Sequence, residues 1–293
     1  MTDSLPRPRA TDLTLVAVAA LAFATSAPLA KSAHGIAPVA IAAGRCAVGA
    51  LTIFALRPRA MLASLRALAP KHRLALPVAG FLLGGHLALF TLGLVSTSLA
   101  AAVALVSLEP IAVVLAAWVA FGLRPTRAET LGLVVATVGA AIVASGAGSG
   151  EHRLLGDAMV LAGVVFFGAY VAFARGLRDA MPVLPYAGAV YGVAAAVLAP
   201  VAIWTQRGDG SVAGWSAVVA LGLLPTLVGH TLLQSVARRV SPAIVGLVCP
   251  GETVGSIAIG ALFLGTKPSL REGIGTAVVL AGATVAITGV RRS

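Results

Sequence analysis

Charge is scarce in this chain. Asp, Glu, Lys and Arg make up 11% of its 293 residues, against roughly 25% in a soluble domain, which excludes an ordinary water-exposed globule. Aromatic residues are also scarce, at 5%, so close packing cannot rest on large interlocking rings. The two cysteines, Cys46 and Cys249, stand in apolar runs with no disulfide framework and no zinc-knuckle spacing, and they read as small buried hydrophobes. There is no Gly-x-x-x-x-Gly-Lys-Ser/Thr loop, so nothing in the chain points to ATP, and no cofactor or metal is expected. No stretch outside the apolar runs and short tails is long enough for a soluble domain.

What fills the chain instead is apolar. Hydrophobic residues reach 59%, mean hydropathy is +0.99, and 33 residues are glycine. That composition suits an all-α integral membrane protein whose helices approach through small side chains. Splitting the apolar runs at charged or Pro/Gly-rich breaks gives ten spans of about 18 to 25 residues, enough to cross a bilayer core. They run 12–30, 36–56, 74–94, 98–121, 129–147, 155–174, 183–204, 214–236, 242–264 and 272–290. The first resembles a signal sequence, but its length and the spans behind it mark it as a retained helix.

The chain also repeats. Shifted by 143 positions, Gly122, Pro125, Glu129, Gly132, Gly139 and Ala140 fall on Gly265, Pro268, Glu272, Gly275, Gly282 and Ala283, and Glu109 falls on Glu252. Five spans lie in each half, 1–147 and 148–293. An odd number of spans per repeat turns the second copy upside down, so the expected architecture is ten helices in two inverted five-helix repeats. With the N-terminus inside, fifteen basic residues fall on inner segments and five on outer ones, and Arg45 alone falls within a span. This is the positive-inside pattern with both termini cytoplasmic, and it accounts for the +11 net charge without a nucleic-acid partner.

Few residues could carry chemistry. Glu109 lies mid-span in Leu-Glu-Pro and Glu252 in Pro-Gly-Glu-Thr, each beside a helix breaker. Pro110 and Pro250 are expected to open both helices at matching depths, and broken helices at corresponding positions of inverted repeats point to a midplane site. Two readings of the glutamates stand side by side. Either they hold and release a proton, or they bond into the gap beside each proline and fix the bend. Arg45, mid-span in the second helix, needs a partner, and Glu109 or Glu252 is the natural candidate. His86 and His230 are one position off the repeat offset, a rotation of about 100° that makes them an unsymmetric pair. Gln234, one turn beyond His230, shares its face. Trp118, Trp204 and Trp215 fall toward span ends, as interface anchors do.

The stretch from Thr97 through Val-Ser-Leu-Glu-Pro to Phe-Gly-Leu-Arg-Pro-Thr, the matching Leu-Gly-Thr-Lys-Pro-Ser, and Arg45 in the second helix resemble the EamA family of the drug/metabolite transporter superfamily. The resemblance covers nearly the whole chain. It implies a ten-helix carrier of the bacterial inner membrane with a cavity between the repeats, commonly an exporter of amino acids or related metabolites. Leu123 and Thr266 depart from it, standing where the family often has an acidic residue. The resulting expectation is a secondary transporter of a small metabolite, working by alternating access in a lipid bilayer and drawing on protons. Its substrate and proton groups would be Glu109, Glu252, Arg45, His86, His230 and Gln234. An uncoupled facilitator and a membrane-embedded enzyme acting on a lipid-linked substrate are the alternatives.

Overall fold

A computed structural model describes residues 8–97, 102, 105–145, 154–263 and 269–289. Arg7, Gly265, Thr266, Pro268 and the other residues read above that fall outside these ranges are not described. Among the described residues there is no strand. The helices are α1 (Ala10–Ala24), α2 (Ser26–Ser32), α3 (Pro38–Leu56), α4 (Pro58–Ala67), α5 (Ala75–Ser96), α6 (Glu109–Phe121), α7 (Arg127–Ala144), α8 (Leu154–Gly176) and α9 (Val183–Thr205). They continue with α10 (Val212–Leu221), a π-helical stretch Gly222–His230, α11 (Thr231–Ala237), α12 (Pro242–Gly246), α13 (Val248–Phe263) and α14 (Leu270–Gly289).

Eight helical segments among the described residues are long and apolar enough to span a bilayer. This falls short of the ten expected. The fourth expected span is described mainly over its second half, as the 13-residue α6, and the fifth, α7, is not one of the eight. Large apolar side chains on the outside, such as Val119, Leu51 and Ile203, form the surface a lipid-facing bundle requires.

Local chemistry sets the helix ends. Thr126 and Glu129 form a reciprocal capping box at the start of α7: Thr126 N donates to Glu129 Oε2 at 2.8 Å, and Glu129 N donates to Thr126 Oγ1 at 3.1 Å. Ser269 and Glu272 repeat it at α14, with Ser269 N donating to Glu272 Oε2 at 2.6 Å. The repeated pair Glu129 and Glu272 is therefore a helix-capping pair. At the end of α6, Gly122 takes a left-handed φ of 66° and its N–H donates to Trp118 O at 2.8 Å, closing the helix where a Cβ would be strained.

The halves pack in exchanged pairs. Under the 143-residue offset, α1 corresponds to α8, α3 to α9, α5 to residues 218–239, α6 to α13 and α7 to α14. α8 packs on α5 and α6, while α1 packs on the π stretch, α11 and α13. α3 packs on α9, and α7 on α14. In the α7–α14 pair the glycines interlock backbone to backbone. A Cβ on Gly132 would stand 2.5 Å from Gly282 O, and one on Gly275 would stand 2.8 Å from Gly139 O. Where two residues meet, their counterparts under the offset meet as well, as across a two-fold axis, with the two helices antiparallel.

The loops sort to two ends. At one end Asp12 pairs with Arg239 at 3.0 Å, Arg238 donates to Met181 O at 2.6 Å, and Arg175 donates to Val240 O. At the other, Gln206 ties Ala37 N and Gly35 O, and Ser211 reaches His34 O. Trp204, 72% exposed, and Trp215, which donates to Asp209 O, lie at this second end.

Candidate functional site

Between the halves lies a cavity of about 40 Å³, lined by Arg45, His86 and Glu109 from the first half and Phe167, His230 and Glu252 from the second, with Phe23 and Ser26 from the first span. Five of the six expected site residues therefore share one cavity. Gln234 does not line it but sits directly below, fully buried on the same helix as His230.

Arg45 enters from the middle of α3, where Gly44 and Gly49 leave room for Val218 and Tyr191. The expected carboxylate partner is not what holds it. Its Nε donates to Thr226 Oγ1 at 2.7 Å and a terminal nitrogen donates to Ser26 Oγ at 3.2 Å. Among the described residues no ion pair joins it to either glutamate. Glu252 lines the same cavity, and the two hydroxyls fix the guanidinium without neutralising it.

Those hydroxyls are products of helix irregularities. Pro225 lacks an N–H and so cannot continue an α-helical ladder through Leu221 O. Thr226 supplies the missing donor, its Oγ1 bonding Leu221 O at 2.9 Å while accepting from Arg45. Tyr191 OH completes the knot, lying 2.9 Å from both Thr226 O and Thr231 Oγ1. Ser26 opens α2 after the break at Thr25, whose Oγ1 bonds Ala22 O at 2.7 Å.

The π stretch also revises the reading of the histidines. A π turn takes one more residue than an α turn, so it absorbs the single-residue mismatch that was expected to make the two histidines an unsymmetric pair. Both rings line the cavity, edge to face with centroids 6.4 Å apart. His86 Nδ1 lies 3.0 Å from Gly163 O, to which it donates, and 3.9 Å from Glu109 Oε1. His230 packs edge-on against Phe23 at 4.7 Å, and its Nδ1 has no partner.

Glu109 is the first residue of α6, after a break at Ser107 and Leu108, and is 5% exposed. Its Oε2 accepts from Cys249 Sγ at 3.3 Å, so Cys249 is a polar partner rather than the inert filler expected. The second break does not fall at the matching depth. It lies at Leu247, just after Gly246, whose carbonyl Pro250 leaves without its α-helical donor, and Glu252 sits a turn inside α13. Tyr191 was open to two readings, cavity lining or packing, and its bonds to Thr226 and Thr231 place it beside the site; Ser26, Thr226 and the polar role of Cys249 were missed by sequence reasoning. The one available signal was Pro225 followed by Thr within the eighth span.

The model of the EamA-like transporter family matches residues 11–145 and again 154–288. The chain belongs to the EamA-like transporter family. It is a multi-pass membrane protein of the transporter type found in that family. A solved structure, described as a crystal structure of a protein, superposes on it with a TM-score of 0.82 at 22% identity, covering 97% of this chain and 100% of the other. That likeness supports the fold alone. Among curated proteins none matches this EamA-like chain significantly.

Proposed function

We propose that this EamA-like protein is a secondary transporter that exports a small metabolite, such as an amino acid or a related compound, by alternating access at the inner membrane. In this reading the chain has ten helices in two inverted repeats, 1–147 and 148–293, with both termini cytoplasmic. The exchanged packing of the halves and the antiparallel α7–α14 pair support the inversion.

The observation that carries the reading is the charge set in the cavity between the halves. One arginine held by hydroxyls and two glutamates, drawn from both repeats, meet where a charge is costly. Arg45 binds the carboxylate of the substrate, while Glu109 or Glu252 carries a proton in exchange. A cavity of about 40 Å³ holds roughly one water, far below the 300 to 1,000 Å³ of small-molecule sites. Each half must therefore open away from the other to admit the substrate, and the helix breaks beside Glu109 and Leu247 are the hinges.

Proteoliposomes preloaded with pooled unlabelled amino acids and related metabolites test this. Uptake of a labelled member of the pool should be saturable and should rise several-fold over empty vesicles, because a loaded carrier returns faster than an empty one. Flux that grows linearly with concentration and ignores the internal pool would indicate a channel and contradict the proposal.

A further inference from the structure

Below the cavity, toward the end where the expected inner loops gather, the buried polar side chains form a column. His230, Gln234 and Arg238 stand four residues apart on one face of the helix running through α11. Each has a buried atom without a hydrogen-bond partner among the described residues: His230 Nδ1, Gln234 Oε1, and Nε and one terminal nitrogen of Arg238. Tyr170 flanks the column by accepting from Gln234 Nε2, and Tyr186 flanks it by placing its ring 4.8 Å beneath the Arg238 guanidinium while leaving its own hydroxyl unpartnered. Unsatisfied polar atoms are costly in a packed interior, and so many on one line need a reason.

The column ends in a second pocket of about 640 Å³ between α1, α9 and α11. Four arginines line it: Arg9, Arg178, Arg238 and Arg239. Its two carboxylates are already engaged, Asp12 with Arg239 at 3.0 Å and Asp179 with Arg178 at 3.2 Å. Arg9 and Arg238 are left without an acidic partner among the described residues. Arg238 is only 6% exposed, yet two of its three guanidinium nitrogens have no hydrogen-bond partner among the described residues. A carboxylate matches that fork in geometry and charge.

We propose that this pocket is the inner entry site for a carboxylate-bearing metabolite, with Arg238 as its first recognition group and the Gln234–His230 face as the path that passes the carboxylate up to Arg45. This rests on the carrier reading above and narrows its substrate class. Four arginines against two engaged aspartates make the entry pocket favour an anionic group over a cationic one.

The test does not depend on transport. Ser235 lines the pocket and is partly exposed. The full chain in neutral detergent, with Cys46 and Cys249 replaced by alanine and serine and with Ser235→Cys, is modified with an anionic sulfonatoethyl and a cationic trimethylammonioethyl methanethiosulfonate. Relative to 2-mercaptoethanol, the anionic reagent should be favoured about tenfold, the scale of electrostatic focusing in a charged cleft. Butyrate should slow the reaction and butyramide should not. Arg238→Gln should erase both effects and Arg238→Lys should retain the charge preference. If Arg238→Gln does not fold, the reagent ratio and butyrate protection with Arg238 intact still decide. Protection by butyrate in a protein that takes up no metabolite in proteoliposomes would sustain the anion site and overturn the carrier reading. Metabolite uptake with no reagent preference and no butyrate protection would overturn the entry site and leave the carrier intact.

Discussion

Arg45→Gln is expected to lower metabolite uptake at least about 100-fold while leaving the protein folded and monodisperse in detergent. Among the described residues lining the cavity, Arg45 is the sole fixed cation, and two glutamates face the same space. Losing one partner of a buried, hydrogen-bonded charge pair with the substrate costs about 3 kcal/mol of binding, within the range of about 2 to 5 kcal/mol for such pairs, and 1.4 kcal/mol is a factor of ten. The folded state survives because Thr226 and Ser26, the groups Arg45 leaves, are hydroxyls, and Thr226 keeps its bond to Leu221 O. Arg45→Lys should recover only part of the activity, since a point charge cannot reach both Thr226 and Ser26 as the guanidinium does. Unchanged uptake in Arg45→Gln would remove the substrate-binding role assigned to it.

Gly132→Leu should have the opposite profile, with loss of the fold rather than of activity alone. A Cβ there would run into Ala286 N and stand 2.5 Å from Gly282 O. Both are backbone atoms that no rotamer change can move. α7 and α14 would have to separate along their whole contact, at a cost of about 3 kcal/mol or more, which corresponds to a fall in Tm of roughly 10 °C for a chain of this size. Gly282→Leu should behave alike, because a Cβ there would stand 2.6 Å from Gly132 O. Gly273→Leu is the control on α14, where nothing lies within 4 Å of a Cβ. Thermal unfolding of the three variants in detergent reads the difference, and equal Tm values would show that the close approach contributes nothing.

The parts of this molecule that could be read from its letters are those where a residue contradicts its surroundings. Glu109, Glu252 and Arg45 are conspicuous because each puts a charge in an apolar run, and all three line the cavity. The capping boxes at Thr126 and Ser269 are written in local spacing, and the glycine repeat foreshadows the α7–α14 seam. What escaped depends on backbone irregularity or on ordinary residues in unusual company. The π stretch that brings His230 round to His86 turns on hydrogen-bond register, which no 3.6-residue pattern encodes. Thr226 and Ser26 are common residues in apolar helices, and only three-dimensional proximity makes them the cradle of Arg45. Cys249 passed for filler because its partner Glu109 is 140 residues away in the chain.

The most direct test of the central claim is substrate-driven proton movement in proteoliposomes carrying a pH dye, comparing the unchanged protein with Glu109→Gln and Glu252→Gln. The account predicts a saturable pH change on addition of a transported carboxylate-bearing metabolite, lost in at least one of the two variants while that variant still exchanges labelled substrate. Uptake of labelled substrate with no pH change, equal in all three proteins, would contradict it and leave an uncoupled facilitator with structural glutamates.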